Sequence, residues 1–383
     1  MKRILISGSS IGGPALAYWL QREGFSVTLL ERGRTQRQGG QAVDVRGPAI
    51  EVLDRMGILD EVRRHKTDMT GMSAIAADGS ELWRSETMTY SGGSFESDDI
   101  EIMRDDLARL LLEAVPPETE LIYADSVTAL RDDGDSVLVE FEKGTPRQFD
   151  FVVGADGIHS NIRHLAFGDK SQFVRSLEVG LSVHSAPNIL GLSRWQVTHE
   201  INGRNCLIYT VRNDRELRIC FIFPATIADE NVGNLEAQMQ LVAREASHLG
   251  WEAPRLIETI WTAPDFYFGV MAQIVMPSWS KGRVTLVGDA GYCPSPFTGQ
   301  GSSLAIIGAY ILARELGRHH SDHAVAFAAY ERRMRPFVEK NQAIGPVARD
   351  LDFADPASQE ILLNMLNEAK VAIAIDADFE PQI

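Results

Sequence analysis

The sequence predicts an α/β fold in which a parallel sheet flanked by helices is interrupted by an antiparallel sheet and followed by C-terminal helices. Three observations predict it. Short, branched apolar runs such as RILIS (3–7) and FDFVVG (149–154) are typical of strands buried on both faces of a parallel sheet. Runs of alternating polarity fill residues 176–223, as in an antiparallel sheet with one covered face. Helical patterns occupy residues 326–342 and 357–370.

Composition restricts the possible partners. The chain of 383 residues carries 37 Lys and Arg against 53 Asp and Glu, a formal net charge of −16. Such a surface repels phosphate backbones and anionic lipids, so we expect neither nucleic-acid binding nor stable membrane association. The three cysteines, Cys206, Cys220 and Cys293, show no CxxC or Cys/His spacing. We therefore expect no disulfide framework, no metal site and a reducing cytoplasmic location.

Two apolar segments need separate interpretation. The N-terminal MKRILISG has only a very short apolar run, which predicts a strand and not a signal peptide. The longest apolar run, LAIIGAYILA (304–313), is well short of the roughly 20 residues that span a bilayer. It predicts a buried helix.

The N-terminal segment predicts a Rossmann-like βαβ unit. A strand over 3–7 is followed by a helix from about 13 to 23 and a second strand over 27–30. The turn between them reads GSSIGG, a GxGxxG pattern from Gly8 to Gly13 in which Ser10 replaces the second glycine. In that pattern the first glycine makes a tight turn, the second admits a pyrophosphate, and the third packs helix on strand. The alternative interpretation is a βαβ turn whose small residues serve helix–strand packing alone and bind no ligand.

Glu31 ends the second strand, 23 residues after Gly8. A carboxylate at this spacing accepts hydrogen bonds from an adenosine ribose and would repel a 2′-phosphate. The loop is therefore expected to hold FAD or NAD and not NADP. The following loop, which begins with Arg32 and is rich in glycine and arginine, supplies cations for a pyrophosphate or is a solvated connection.

Two further segments supply candidate polar groups. EIMRDDLARLLLEAV (101–115) predicts an amphipathic helix with Arg104 in its first turn, where a cation is unfavourable with the helix dipole and an anionic or polar partner is expected. A meander is predicted over 121–123, 127–130 and 137–141, and it leads into the strand 149–154. Asp156 follows that strand at its carboxyl end, where ligands of open α/β sheets bind.

The segment VTLVGDAGYCPSPFTGQG (284–301) repeats this arrangement near the other end of the chain. An apolar strand leads into Asp289, and Gly299 and Gly301 precede a helix. FAD is long enough to run from the Gly8 loop to this segment, with its flavin beside the opening helix amides and a ribityl hydroxyl on Asp289. NAD in the same groove is the competing interpretation.

These patterns predict six sections. Residues 1–72, 98–172 and 275–318 form a Rossmann-like FAD-binding domain, 73–97 and 173–274 form an inserted antiparallel β-sheet substrate domain, and 319–383 form C-terminal helices. Candidate substrate contacts are Asp44, Arg212, Phe221 and Phe268. Others in the insert are His184, His199, Arg194 and Phe266; most side chains of these types in a sheet are surface or core residues.

The chain resembles the single-component FAD-dependent aromatic hydroxylases of the p-hydroxybenzoate hydroxylase type. Three signatures match in order: GSSIGG with Glu31 and Arg32, GADGIHSNIR (154–163), and GDAGYCPSPFTGQG (288–301). GGQAVDVRG (39–47), DFYFG (265–269) and GAYILA make it most similar to the tetracycline-inactivating monooxygenases. Tyr292 and Ser303 depart from the family, where His and Asn are common.

The resemblance implies residue roles. Glu31 would hold the adenosine ribose, Arg104 the flavin side of FAD, Asp156 the pyrophosphate region and NAD(P)H, and Asp289 the ribityl chain. Residues lining the isoalloxazine would be Pro296, Gly299 and Gly301. A C-terminal helix would bridge the two domains or form a dimer surface, so a monomer or homodimer is expected.

The implied chemistry is hydride transfer from NAD(P)H to the flavin, formation of a C4a-hydroperoxide with O2, and hydroxylation of a polycyclic aromatic or phenolic compound. Tetracycline inactivation is the first candidate, and hydroxylation of an aromatic polyketide in antibiotic biosynthesis is the alternative. A flavoprotein reductase and a non-catalytic drug-binding flavoprotein remain open. Halogenation is disfavoured because a WxWxIP string is absent from the sequence. No residue is assigned as catalytic.

Overall fold

The computed structural model describes residues 1–90, 97–230, 234–351 and 356–375. Its first layer is a six-stranded sheet in the order β17-β18-β11-β1-β2-β7. All neighbours in it are parallel except β17 and β18. The strands are β1 (Arg3–Ser7), β2 (Ser26–Glu31), β7 (Glu120–Tyr123), β11 (Phe151–Gly154), β17 (Ser280–Lys281) and β18 (Val284–Leu286).

Helices cover this sheet and bury its branched side chains. The predicted first helix is α1 (Gly12–Arg22), and the apolar run at 304–313 lies inside α10 (Gly301–Arg318), where it is buried as predicted. Both helices pack against each other, and Trp19 lies edge-on to Tyr310 with ring centroids 4.9 Å apart. The remaining helices before the insert are α2 (Pro48–Arg55), α3 (Leu59–Arg64), α4 (Arg104–Glu113) and α5 (Asn161–Phe167).

The inserted sheet has seven strands in the order β16-β12-β15-β14-β13-β4-β5. Its pairs are antiparallel except β13 with β4. One face packs an apolar core against helices; the other faces the nucleotide-type loops. Its elements are β4 (Gly71–Ile75), β5 (Glu81–Ser85), β12 (Val174–Pro187), β13 (Trp195–Ile201), β14 (Arg204–Val211), β15 (Glu216–Pro224), α6 (Ile227–Glu230), α7 (Leu235–Ala246), α8 (Ala253–Glu258) and β16 (Tyr267–Ile274).

Two small sheets complete the fold and correct one prediction. β8 (Val127–Asp132), β9 (Val137–Phe141) and β10 (Arg147–Phe149) form an antiparallel sheet, and β3 (Ala42–Val45) pairs with β6 (Ile100–Met103). The expected meander wrongly included β7, which pairs parallel with β2 in the main sheet. The predicted continuous strand over 149–154 is likewise divided at Asp150 into β10 and β11.

Besides α10, three described helices follow the last strand of the main sheet: α9 (Asp289–Tyr292), α11 (His323–Asp350) and α12 (Pro356–Lys370). The α12 side chains Leu366 and Ala369 share a buried cluster with Ile344 and Ala348 of α11. Its last residue, Lys370, pairs with Asp99 at 3.0 Å, so α12 returns to the main body of the molecule. In the described part of the chain, no helix is both long and apolar enough to cross a membrane.

Candidate active site

The parallel sheet and the inserted sheet enclose one cavity of about 1530 Å³. Single drug-sized ligands occupy sites of roughly 300–1,000 Å³, so this cavity has room for two bound molecules. We call the part lined by the loops at 8–12, 155–160 and 288–302 the loop end. We call the part lined by strands of the inserted sheet the sheet end, formed by Gln196, Thr198, Leu207, Tyr209 and Cys220.

The Gly8 turn brings backbone to the cavity surface at the loop end. Gly8 has φ +109°, and a Cβ there would lie 2.3 Å from the carbonyl oxygen of Ala155. Gly13 does not line the cavity; a Cβ on it would lie 1.8 Å from the oxygen of Gly8. Gly13 therefore closes the turn, while Gly8 and Ser10 face the space where a ligand would lie.

Two helices begin at this end of the cavity. Gly12 opens α1 and Gly301 opens α10, and both line the cavity. Among the described residues, neither helix receives a side-chain cap at its N-terminus. By contrast, Ser160 caps the neighbouring α5 by accepting a hydrogen bond from the Arg163 amide at 2.9 Å. The amides opening α1 and α10 thus remain suited to anionic or electron-rich ligand groups.

Glu31 lies at the edge of the same turn. One carboxylate oxygen accepts hydrogen bonds from the amide and hydroxyl of Ser9, both at 3.0 Å, and the other accepts from the Gly33 amide at 2.8 Å. These bonds fix the carboxylate against the loop and leave lone pairs for a ribose hydroxyl. Arg32 lines the cavity beside it.

Arg104 joins two loops across the cavity. Its guanidinium donates to the Ser10 hydroxyl at 3.3 Å and to the carbonyls of Arg37 and Gly39 at 2.9 and 2.8 Å. Burial lowers its pKa. The side chain is therefore a positioned cation at the loop end, with polar partners as the sequence predicted.

The two strand-end aspartates differ in their surroundings. Asp156 accepts from the Ser160 hydroxyl at 2.5 Å and from the amides of Asn161 and Ile162 at 2.9 and 3.1 Å, so it holds the start of α5. Asp289 is partly buried at the start of α9 beside Cys293. Burial raises the pKa of both carboxyl groups. Both line the cavity, Asp156 as a turn-forming residue and Asp289 with fewer protein donors.

The loop that precedes α10 contacts β3. Gly299 has φ +60°, and a Cβ there would lie 2.9 Å from an Asp44 carboxylate oxygen. Asp44 in turn pairs with Arg46 at 3.1 Å, and the Arg46 amide donates to the Ser303 hydroxyl at 3.0 Å. Pro296, Gly299 and Gly301 line the cavity together with Asp44. The loop end thus meets the sheet end at Asp44.

Three substrate candidates lie elsewhere. Phe221 and Phe268 are buried in the apolar core on the far face of the inserted sheet, where Phe268 stacks on Phe223. Arg212 pairs with Asp105 at 3.1 Å and Asp106 at 2.6 Å at the start of α4. None of the three lines the cavity, so the structure does not support the expectation that they contact substrate.

The other candidates from the insert also fall outside the cavity lining. His184 is buried and lies 2.9 Å from the Thr259 hydroxyl, and burial lowers its pKa to about 4. His199 contacts the carbonyl of Ile75, and Arg194 donates to the carbonyl of Asp68. Phe266 packs at the edge of the far-face core.

Sequence reasoning missed the residues that line the sheet end, Glu101 on β6, and the α12 side chains Gln359, Leu362 and Leu363. Alternation along the strands carried a usable signal. Because successive side chains point to opposite faces, placing Phe221 in the core assigns its neighbour Cys220 to the cavity. For α12, nothing in the local sequence pattern indicates that this helix lies against the cavity.

FAD fits these features. Gly8 and the open start of α1 suit a pyrophosphate, Glu31 a ribose, and the start of α10 the electron-rich edge of a flavin. The volume leaves space at the sheet end for a second ligand. NAD is shorter than FAD and would contact the start of only one of the two helices, α1 or α10.

Comparisons with known proteins agree with this assignment. A family described as FAD binding domain matches residues 1–343. An uncharacterized protein of Mycobacterium tuberculosis H37Rv, Rv1260, is 46% identical over 94% of this chain and 96% of its own length. A flavin-dependent monooxygenase of Legionella longbeachae is 36% identical over 94% and 92%. The crystal structure of the tetracycline destructase Tet(55) superposes with a TM-score of 0.89 at 34% identity, covering 98% and 99%.

The family match covers far more than half of the chain, and these likenesses confirm the resemblance drawn from the three signatures. The fold, the cavity and the relatives agree on the cofactor and on the reaction class. The chain belongs to the FAD-binding-domain family of flavoprotein hydroxylases and is an FAD-dependent monooxygenase.

Proposed function

We propose that the enzyme hydroxylates a polycyclic phenolic or enolic compound, with tetracycline as the first candidate. The observation that carries this proposal is the large cavity, in which the sheet end continues directly from the flavin-type loops. Its wall mixes apolar side chains with amide, hydroxyl and carboxyl groups, which suits a flat molecule bearing several oxygens. The likeness to a tetracycline destructase supports tetracycline.

Bound FAD supplies hydride acceptance and oxygen activation, and the protein supplies binding, orientation and exclusion of water. The amides opening α1 would hold the pyrophosphate, and Glu31 the ribose. Asp289 would accept a hydrogen bond from a ribityl hydroxyl, because it is a partly buried acceptor that follows the carboxyl end of β18 and lines the cavity. The backbone of Gly299 and Gly301 would approach the isoalloxazine, and at Gly299 the positive φ and the close Asp44 carboxylate leave no room for a side chain.

The α12 helix would close the cavity. Gln359, Leu362 and Leu363 of this helix line it. NAD(P)H is the co-substrate typical of this family. We further propose that the enzyme works in the cytoplasm as a monomer or homodimer.

Product mass tests the proposal. The purified yellow protein would be incubated with NADPH, air and tetracycline, with NADH and drug-free reactions as controls. We expect a product that has gained one oxygen atom and faster NADPH oxidation when the drug is present. Unchanged tetracycline together with oxygenation of a hydroxyanthraquinone would assign an aromatic polyketide hydroxylase instead. NADPH oxidation without any oxygenated product would contradict the proposal.

A further inference from the structure

Two carboxylates lie directly opposite each other where the loop end meets the sheet end. Asp44 on β3 and Glu101 on β6 are cross-strand partners, and both line the cavity. Side chains in this relation are about 5 Å apart at Cβ, and like charges there are destabilising. The pair therefore favours keeping one proton between its two members.

The surroundings decide which carboxyl group holds that proton. Asp44 has a cationic partner, since an Arg46 nitrogen lies 3.1 Å from its carboxylate. Glu101 has neutral donors: the Thr67 hydroxyl at 2.6 Å and the Gln196 amide nitrogen at 3.2 Å. Burial and the charge of Asp44 raise the pKa of Glu101 to about 7. Glu101 thus gains and loses a proton near neutral pH, while the Asp44 carboxylate has Arg46 as its ion-pair partner.

Glu101 lies between the loop end, where a flavin would bind, and the sheet end, where a substrate would bind. Its partner Asp44 lies against Gly299 of the loop end, and Gln196 of the sheet end donates to Glu101 itself. A further titratable group near Glu101 is Tyr209 on β14, whose hydroxyl accepts a hydrogen bond from the Ala42 amide and whose pKa burial raises. Tyr209 therefore stays neutral while Glu101 titrates.

We propose that Glu101 is the proton acceptor for an acidic hydroxyl of the substrate. The substrate O–H bond breaks, the proton moves to the Glu101 carboxylate, and the negative charge moves to the substrate oxygen. An aromatic ring bearing an oxyanion is a stronger carbon nucleophile than the neutral phenol, which is what oxygen transfer requires. The net charge of the pocket is unchanged, because the Glu101 carboxylate loses the negative charge that the substrate oxygen gains. The proton returns when the product hydroxyl re-forms.

This inference rests on the proposed phenolic or enolic substrate, and the pH dependence of turnover tests it. In the wild-type enzyme kcat/KM for tetracycline should fall about tenfold per pH unit below pH 7, because the free base becomes protonated. Glu101→Gln should lower kcat by roughly 100-fold or more and remove this acid limb. Glu101→Asp should retain a limb at a shifted pH. Glu200→Gln, which removes another carboxylate of the same cavity, should keep the wild-type limb.

A kcat within twofold of wild type in Glu101→Gln, or an acid limb that persists in it, would overturn the inference. So would equal losses in Glu101→Gln and Glu101→Asp with the limb intact, because that result indicates a merely structural role.

A binding measurement keeps the test separate from the choice of substrate. Alizarin, a dihydroxyanthraquinone that changes colour on losing a proton, would be bound to the oxidised holoenzyme without NADPH. Wild-type protein should bind it ionised at a pH where free alizarin is neutral, and Glu101→Gln should not. If wild-type enzyme leaves tetracycline unchanged but ionises alizarin, the tetracycline proposal fails and this one stands. Alizarin bound neutral at every pH from 6 to 9 overturns the role of Glu101.

Discussion

The two ends of the cavity are built from different materials. At the loop end backbone supplies much of the ligand-facing surface, through the Gly8 turn, the open starts of α1 and α10, and the glycines at 299 and 301. A few charged side chains, such as Glu31, Arg104 and Asp289, add to it. At the sheet end they are side chains of strands and of α12. A cofactor shared by a whole family can be held by backbone, whereas a substrate that differs between members is selected by side chains that change without altering the fold.

The largest expected effect concerns the backbone at the loop end. Gly8→Ala places a Cβ 2.3 Å from the Ala155 oxygen at φ +109°, which costs about 1–3 kcal/mol in backbone strain before the clash is counted. We expect at least a tenfold loss of FAD per chain, measured by flavin release from the purified protein. Gly24→Ala is the control, because Gly24 also has positive φ but meets nothing within 4 Å. Equal FAD contents in both variants would contradict the account.

The second prediction compares the two faces of the inserted sheet through two adjacent residues, Phe221 on the far face and Cys220 on the cavity face. Phe221→Ala should destabilise the protein by about 3–5 kcal/mol, measured by denaturant unfolding, and leave the KM for tetracycline unchanged in the folded fraction. Cys220→Phe should raise that KM roughly tenfold, or ~1.4 kcal/mol, since its side chain faces the cavity. A KM effect at Phe221 and none at Cys220 would reverse the assignment of the faces.

The third prediction concerns the stability cost of a functional side chain. The pKa of Glu101 is raised to about 7 from an ordinary value of 4.5, so the folded state holds an extra proton between these values. Its contribution to stability is full below pH 4.5 and is lost as pH rises to 7. Glu101→Gln should therefore be more stable than wild type by about 1–3 kcal/mol at pH 8, and this gain should vanish near pH 5.

Thermal unfolding at the two pH values checks this expectation. Asp289 and Asp156 also have raised pKa values, so the comparison must be made between variant and wild type at each pH. A gain of equal size at pH 5 and pH 8 would show that the titration of Glu101 is not its cause.

The smallest effect is expected at Arg212, which lies outside both ends of the cavity. Its pairs with Asp105 and Asp106 are partly exposed, so Arg212→Ala should cost less than about 1 kcal/mol, decreasing with added salt. The KM for tetracycline should not change. A large rise in KM, measured at constant ionic strength, would restore Arg212 as a substrate contact.

The same contrast explains what the sequence could predict. The loop end depends on glycines, strand-end acids and helix starts at fixed spacings. The sequence therefore predicts the order of these elements and points to Gly8, Glu31, Asp156 and Asp289. The wall of the sheet end depends on which face each strand turns inward. A shift of one residue exchanges the faces. Residue type alone made Phe221 a substrate candidate, and residue type does not tell which face a side chain occupies.

Other features depend on contacts between distant segments. Arg212 pairs with acids more than one hundred residues away in sequence, at the start of α4. Glu101 acquires its properties only when β6 pairs with β3 and the charge of Asp44 comes opposite it. β7 joins the main sheet because β2 offers it a parallel edge, which local alternation cannot show.

The most direct test of a single cavity with two ends is a titration of the oxidised holoenzyme with tetracycline, followed by the visible absorption of the flavin without NADPH. Because the flavin and the substrate would share one enclosed space, we expect a saturable change in the flavin spectrum. Its midpoint should move to higher concentration in Cys220→Phe and stay unchanged in Arg212→Ala. Saturable binding of tetracycline with no change in the flavin spectrum would contradict the account.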